Sequence, residues 1–315
     1  MATARPNPTT PGEAIDPHAL MRIKSLQLRA RAAVEGFVKG LHKSPYHGFS
    51  VEFSEYRQYA PGDDPRYLDW KLFARSDRYH IKRFEDETNL RATLVVDTSR
   101  SMAYGSGAYT KSDYARTLAA TVATFLSRQR DAVGLITFED EITHYLPPRH
   151  RPGHLARMIG LLEQEPQAKA TDLAKSLDQV AATVRKRGLV VVVSDLLAPV
   201  ELLRTRLGYL RATGHDVVVL RVLDPAEVDF PFDTASRFRD AESGRDVYVD
   251  PAAARAGYLT RFAAHAQEIR QGCDDLGVEF VAVRTDQPLG SVLFDLLKNR
   301  MRRGRASNRR GGAAR

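Results

Sequence analysis

Between residues 91 and 301 the hydrophobic pattern changes period again and again, and this constrains the fold more than any other feature. Ala92-Thr-Leu-Val-Val96, Ala132 to Phe138, Leu189 to Val193, Asp216 to Val222 and Val278 to Val283 are short, mostly apolar runs that read as strands. Between them lie stretches with apolar residues at helical spacing: Lys111 to Arg128 with Tyr114, Leu118, Val122, Phe125 and Leu126, then Leu155 to Leu162, Asp172 to Arg185, Glu201 to Arg211, Pro251 to Leu276 and Leu289 to Met301. Strands that alternate with helices predict a doubly wound α/β fold with a mostly parallel sheet. Leu189 to Val193 is aliphatic at every position, as burial on both sheet faces requires. Ile142 to Leu146 is expected to pair beside the second strand.

Two regions depart from this rhythm. Asp224 to Asp250 carries two short alternating runs about Ser243-Gly244, which predicts an inserted hairpin. Residues 44 to 90 are polar, aromatic and charged, with pieces such as Val51-Glu52-Phe53 and Tyr79 to Phe84, which predicts a small β-rich extension. Pro17 to Leu41 has helical spacing. The expected division is a disordered tail at 1–16, a helix and extension at 17–90, the α/β domain at 91–297 and a basic tail at 298–315.

Charge argues against a nucleic-acid face. The net charge is +8, and the segment from Lys298 to Arg315 holds eight basic residues and no acidic one. The rest of the chain is neutral, whereas nucleic-acid binders present a broad basic surface. Cys273 is the single cysteine, so no internal disulfide can form. The opening MATARPNPTTPGEA lacks the apolar core of a signal peptide, and runs such as Leu189 to Val193 are too short to span a bilayer. The expectation is a cytoplasmic protein without a transmembrane segment.

The first aliphatic strand runs into Asp97-Thr98-Ser99-Arg100-Ser101. In open parallel sheets ligands bind beyond the carboxyl ends of the strands. Residues two apart in an extended loop point the same way, so Asp97, Ser99 and Ser101 are expected to converge. One carboxylate and two hydroxyls are hard oxygen donors, suited to Mg²⁺ or Mn²⁺. Thr171, ahead of a helix, and Asp195, at the end of the third strand, add two more oxygen donors.

Asp-x-Ser-x-Ser at 97–101 with Thr171 and Asp195 resembles the metal-ion-dependent adhesion site of von Willebrand factor A domains. The likeness covers about residues 91–290. It implies that Asp97, Ser99, Ser101, Thr171 and Asp195 hold the ion directly or through water, and that a protein ligand supplies a carboxylate to an open coordination position. The preceding block, Glu55 to Lys71 with Arg57, Tyr59, Asp63, Asp64, Arg66, Asp69 and Trp70, then Ala74-Arg75 and Lys82 to Glu85, is similar to the signature of the family called domain of unknown function fifty-eight. That resemblance implies a von Willebrand factor A-like fold and partnership with a MoxR-type AAA+ ATPase in assembly or maturation of other proteins. The signature residues serve either an internal polar network or a partner-binding face.

The function expected is therefore a non-catalytic, metal-dependent protein-binding module. The alternatives are a Mg²⁺-dependent hydrolase, an NTPase, or a nucleic-acid binder acting through the C-terminal tail. For the NTPase, Gly105 to Ser112 approaches a phosphate loop, but Thr110 replaces the second glycine, and a flexible lead into a helix is expected there. No HExxH is present, and His144, His150 and His154 are expected in a solvated loop. Glu139-Asp140-Glu141 is expected to form a solvated turn.

Overall fold

In a computed structural model of the chain, residues 15–43, 56–58, 73, 79–82, 90–165, 173–240 and 244–297 are described. Six strands form one sheet in the order β10-β7-β6-β3-β4-β5. They are β3 (Arg91–Asp97), β4 (Ala132–Phe138), β5 (Ile142–Arg149), β6 (Leu189–Ser194), β7 (Asp216–Leu223) and β10 (Glu279–Arg284). All neighbours are parallel except β4 and β5, which run antiparallel. The mostly parallel α/β sheet inferred from the alternation of periods is therefore what forms.

Helices cover both faces. Strand side chains alternate between them, so Leu94 and Val96 of β3 enter one core while Val95 enters the other. The first core lies under α1 (Pro17–Met21), α2 (Leu26–Lys43), α3 (Lys111–Arg128), α4 (His154–Leu162) and a last helix, α9, over 289–297. The second lies under α5 (Leu173–Thr183), α6 (Val200–Ala212) and α8 (Pro251–Asp275). Helix α3 starts cleanly because Thr110 and Asp113 form a reciprocal capping box. Its Leu118, Val122 and Leu126 then reach the first core at spacings of four, with about 1.5–3 kcal/mol gained per fully buried large aliphatic side chain. Phe37 of α2 meets Phe125 of α3 edge-on, ring centroids 5.7 Å apart.

The chain divides into two units, Met1–Lys43 with Leu90–Arg315, and Ser44–Asn89. The helices at 17–43 thus group with the sheet and not with the following extension, because their apolar stripe is buried on α3 and α4. Within the smaller unit, β1 (Tyr56–Gln58) pairs antiparallel with β2 (His80–Lys82). The inserted hairpin is β8 (Ser236–Arg239) against β9 (Asp246–Val249), following the short helix α7 (Pro225–Asp229). Among the described residues no helix is long and apolar enough to cross a membrane.

Three expectations are corrected. His144 lies within β5, half-buried, its Nδ1 2.9 Å from the Thr137 hydroxyl oxygen. His154 is buried, and its Nε2 lies 2.8 Å from the Val133 carbonyl oxygen, because it opens α4 against strand β4. Glu139 is also buried, while Asp140 and Glu141 are exposed, so only part of that turn is solvated.

Candidate metal-binding site

Asp97 ends β3 at the carboxyl edge of the sheet and is only 2% exposed. The Ser99 backbone N–H donates to its Oδ1 at 2.9 Å, and the Ser194 hydroxyl donates to its Oδ2 at 2.6 Å. These bonds fix the carboxylate. The loop then tightens into a single 3-10 turn over Arg100–Ala103. The Ser99 and Ser101 hydroxyl oxygens lie 3.1 Å apart, so the two side chains do point the same way.

The adjacent strand β6 ends in Ser194 and delivers Asp195, 1% exposed, to the same edge. Leu196 follows with φ of 54°, a left-handed conformation disfavoured for a branched side chain. Such a conformer costs roughly 1–3 kcal/mol and is held by its surroundings. Here the surroundings are the Ser194 hydroxyl, which accepts from Leu196 N–H, and burial of the Leu196 side chain. The turn leaves Leu197 half exposed beside Asp195.

Two buried acids at one strand edge repel. The Asp97 carboxyl is pushed up to about 7, first by burial and then by the charge of Asp195, although the Ser194 and Ser99 hydrogen bonds oppose the rise. Asp195 has a counter-ion in Lys111, whose Nζ lies 2.8 Å from its Oδ2 and 2.6 Å from Glu227 Oε1. Lys111 is fully buried. Burial alone would lower its pKa, but Asp195 and Glu227 more than offset this and hold it above the ordinary value. Glu227 is fixed in turn by the Asp224 N–H on its Oε2, and Asp224 accepts from the Ser106 hydroxyl and N–H.

The oxygen donors fit a hard divalent ion. Among the described residues no three carboxylates, imidazoles or thiolates gather in metal-holding range. The set is instead Asp97 and Asp195 with the Ser99 and Ser101 hydroxyls. Lys111 pairs with Asp195.

Of the expected ligands, Asp97, Ser99, Ser101 and Asp195 lie at the ends of neighbouring strands, while Thr171 falls outside the described residues. Arg57 lies in β1, and Tyr59, Asp63, Asp64, Arg66, Asp69 and Trp70 also fall outside them. The sequence reading missed Lys111, Ser194, Glu227 and Asp224. It treated Gly105 to Ser112 as a flexible lead, but the loop doubles back tightly: a Cβ on Gly105 would lie 2.4 Å from the Tyr109 carbonyl oxygen. A signal for Lys111 existed, since it lies three residues before Tyr114 and seven before Leu118, on the apolar stripe of its helix.

Comparison with known proteins places the chain among uncharacterized relatives. It is 31% identical over 318 residues to an uncharacterized protein of Mycobacterium tuberculosis, covering 99% of this chain and 97% of that one. It is equally similar to an uncharacterized protein of Mycobacterium bovis. Among solved structures it is similar to the conserved hypothetical protein BatB from Bacteroides thetaiotaomicron, at 17% identity and a TM-score of 0.42, over 66% of this chain and 99% of that one. It is also similar to the SpRpn10 VWA domain, at 14% identity and a TM-score of 0.38, over 65% of this chain and 94% of that one. The sequence model of one family matches residues 55–268, more than half of the chain: the chain belongs to the family described as Protein of unknown function DUF58.

Proposed function

We propose that the chain is a non-catalytic protein-binding module that engages its partner through a divalent cation held by Asp97, Ser99, Ser101, Asp195 and Thr171. The observation that carries this reading is the placement of Asp97, Ser99 and Ser101 beside Asp195, at the carboxyl ends of adjacent strands. Mg²⁺ or Mn²⁺ suits an all-oxygen set of this kind, and a bound ion supplies an electrophilic position for an incoming carboxylate. The chain's own residues do the rest. Ser194 and the Ser99 N–H orient Asp97, and Lys111 anchors Asp195. The partner contributes an acidic side chain, and the partner class is a MoxR-type AAA+ ATPase.

Isothermal titration of Mg²⁺ or Mn²⁺ into the full chain tests the ion, with one site expected for the native protein and none for Asp97→Ala. Equal binding by that variant would sink the ligand assignment. Capture of the ATPase with and without EDTA tests the mechanism: binding should fall with chelator and recover with added Mg²⁺. Chelator-insensitive capture of a folded chain would move the contact elsewhere, the Arg57 to Lys71 segment being the first place to look.

A further inference from the structure

A cleft lies between α8 and the strands β7 and β10. The cleft there has a volume of about 320 Å³, at the lower end of the roughly 300–1,000 Å³ range of small-ligand pockets. It exists because Ala263, Ala266 and Ala282 stand where larger side chains would close the gap between helix and strands. Leu223 and Phe280 give it an apolar wall.

Two arginines line it. Arg221 lies within the aliphatic run of β7 and is 1% exposed. Its Nε donates to the Asp195 carbonyl oxygen at 3.0 Å, its Nη2 lies 3.3 Å from His265 Nδ1, and its guanidinium lies over the Phe262 ring at 5.4 Å. Among the described residues it forms no ion pair, and its Nη1 has no hydrogen-bond acceptor. The acids that act on it from a distance, Asp195 and Glu227, each have an oxygen already bound to Lys111. Arg270 lies over the Phe280 ring at 5.3 Å, likewise with no carboxylate partner. Gln267 adds an amide to the lining, and none of the lining residues is acidic. A buried guanidinium is stabilised by an anion far more than by a carbonyl or an imidazole, and planar N–H donors in a fork match the oxygens of a carboxylate or phosphate.

We propose that this cleft is a binding site for a small organic anion, a carboxylate or phosphate ester on a short apolar body, with Arg221 and Arg270 holding the oxyanion. Leu223, Phe280 and the three alanines take the apolar part. The cleft is distinct from the cation site and touches it through the hydrogen bond from Arg221 to the Asp195 carbonyl oxygen.

Phenyl phosphate and benzoate, titrated by calorimetry into the full chain, test this, with benzyl alcohol as the neutral control. Saturable one-to-one binding of at least one anion is expected, with benzyl alcohol weaker by about tenfold or more. Arg270→Ala removes a charge from an exposed position and should weaken binding by about tenfold without moving the melting temperature. Ala266→Leu fills the cleft and should abolish binding. Absence of saturable binding by either anion, equal binding of benzyl alcohol, or unchanged binding by a folded Ala266→Leu variant would each overturn the proposal. If both anions bind, their rank tells whether carboxylate or phosphate is the preferred head group.

Discussion

Lys111 keeps its charge in a fully buried position only because Asp195 and Glu227 meet it there. Removing one partner of such a group strands the others, at about 3–5 kcal/mol. Lys111→Met should lose that much stability in urea titration, and Mg²⁺ should return part of it by supplying positive charge beside Asp195. Arg239→Ala breaks an exposed ion pair with Asp246 and should change little. Cys273 makes a different test. Burial, and then Asp274, push its thiol up to about 11. At pH 8 roughly one molecule in a thousand then carries the thiolate, so thiol reagents should label the folded chain slowly and the unfolded chain at once. Asp97, Ser99 and Ser101 could be found in the sequence because two-residue spacing alone sets their direction. Glu227 could not, since it reaches Lys111 across 116 positions of chain, and no local pattern encodes a pairing of that kind.

At the scale of elements, the strands were legible because burial on both faces leaves a continuous aliphatic run, as in Leu189 to Val193. The exceptions within those runs carry the most information. Arg221 interrupts β7, and a charge at such a position marks either a buried partner or a ligand, which the period of the run does not reveal. Gly134 interrupts β4 for a steric reason. The β4–β5 register shifts between Val133 and Leu135, and a Cβ on Gly134 would lie 2.6 Å from Pro148 N and 2.7 Å from the Leu146 carbonyl oxygen. Gly134→Ala should therefore cost about 1–3 kcal/mol by forcing the two strands apart, with thermal unfolding as the readout. The same substitution at Gly160, where nothing lies within 4 Å of the added carbon, is the matched control and should be neutral or slightly stabilising.

For the molecule as a whole, the larger unit is discontinuous, since Met1–Lys43 and Leu90–Arg315 flank Ser44–Asn89. Replacing residues 44–89 by a linker of about ten Gly and Ser residues should leave a cooperatively melting α/β unit. The shorter loop lowers the closure entropy by about 1–2 kcal/mol. A melt without a single transition would show that the larger unit needs the smaller one. The same discontinuity imposes an order of events during synthesis. The apolar stripe of α2, with Ala30, Val34 and Phe37, is finished long before α3, the helix it packs against, has been made. At ~5–20 residues per second, the stretch from Lys43 to Lys111 takes about 3–14 s to emerge. Through that interval a nascent chain displays a greasy helix with nowhere to dock. Ribosome-stalled chains should keep α2 open to protease until the whole of α3 has cleared the exit tunnel, and protected afterwards.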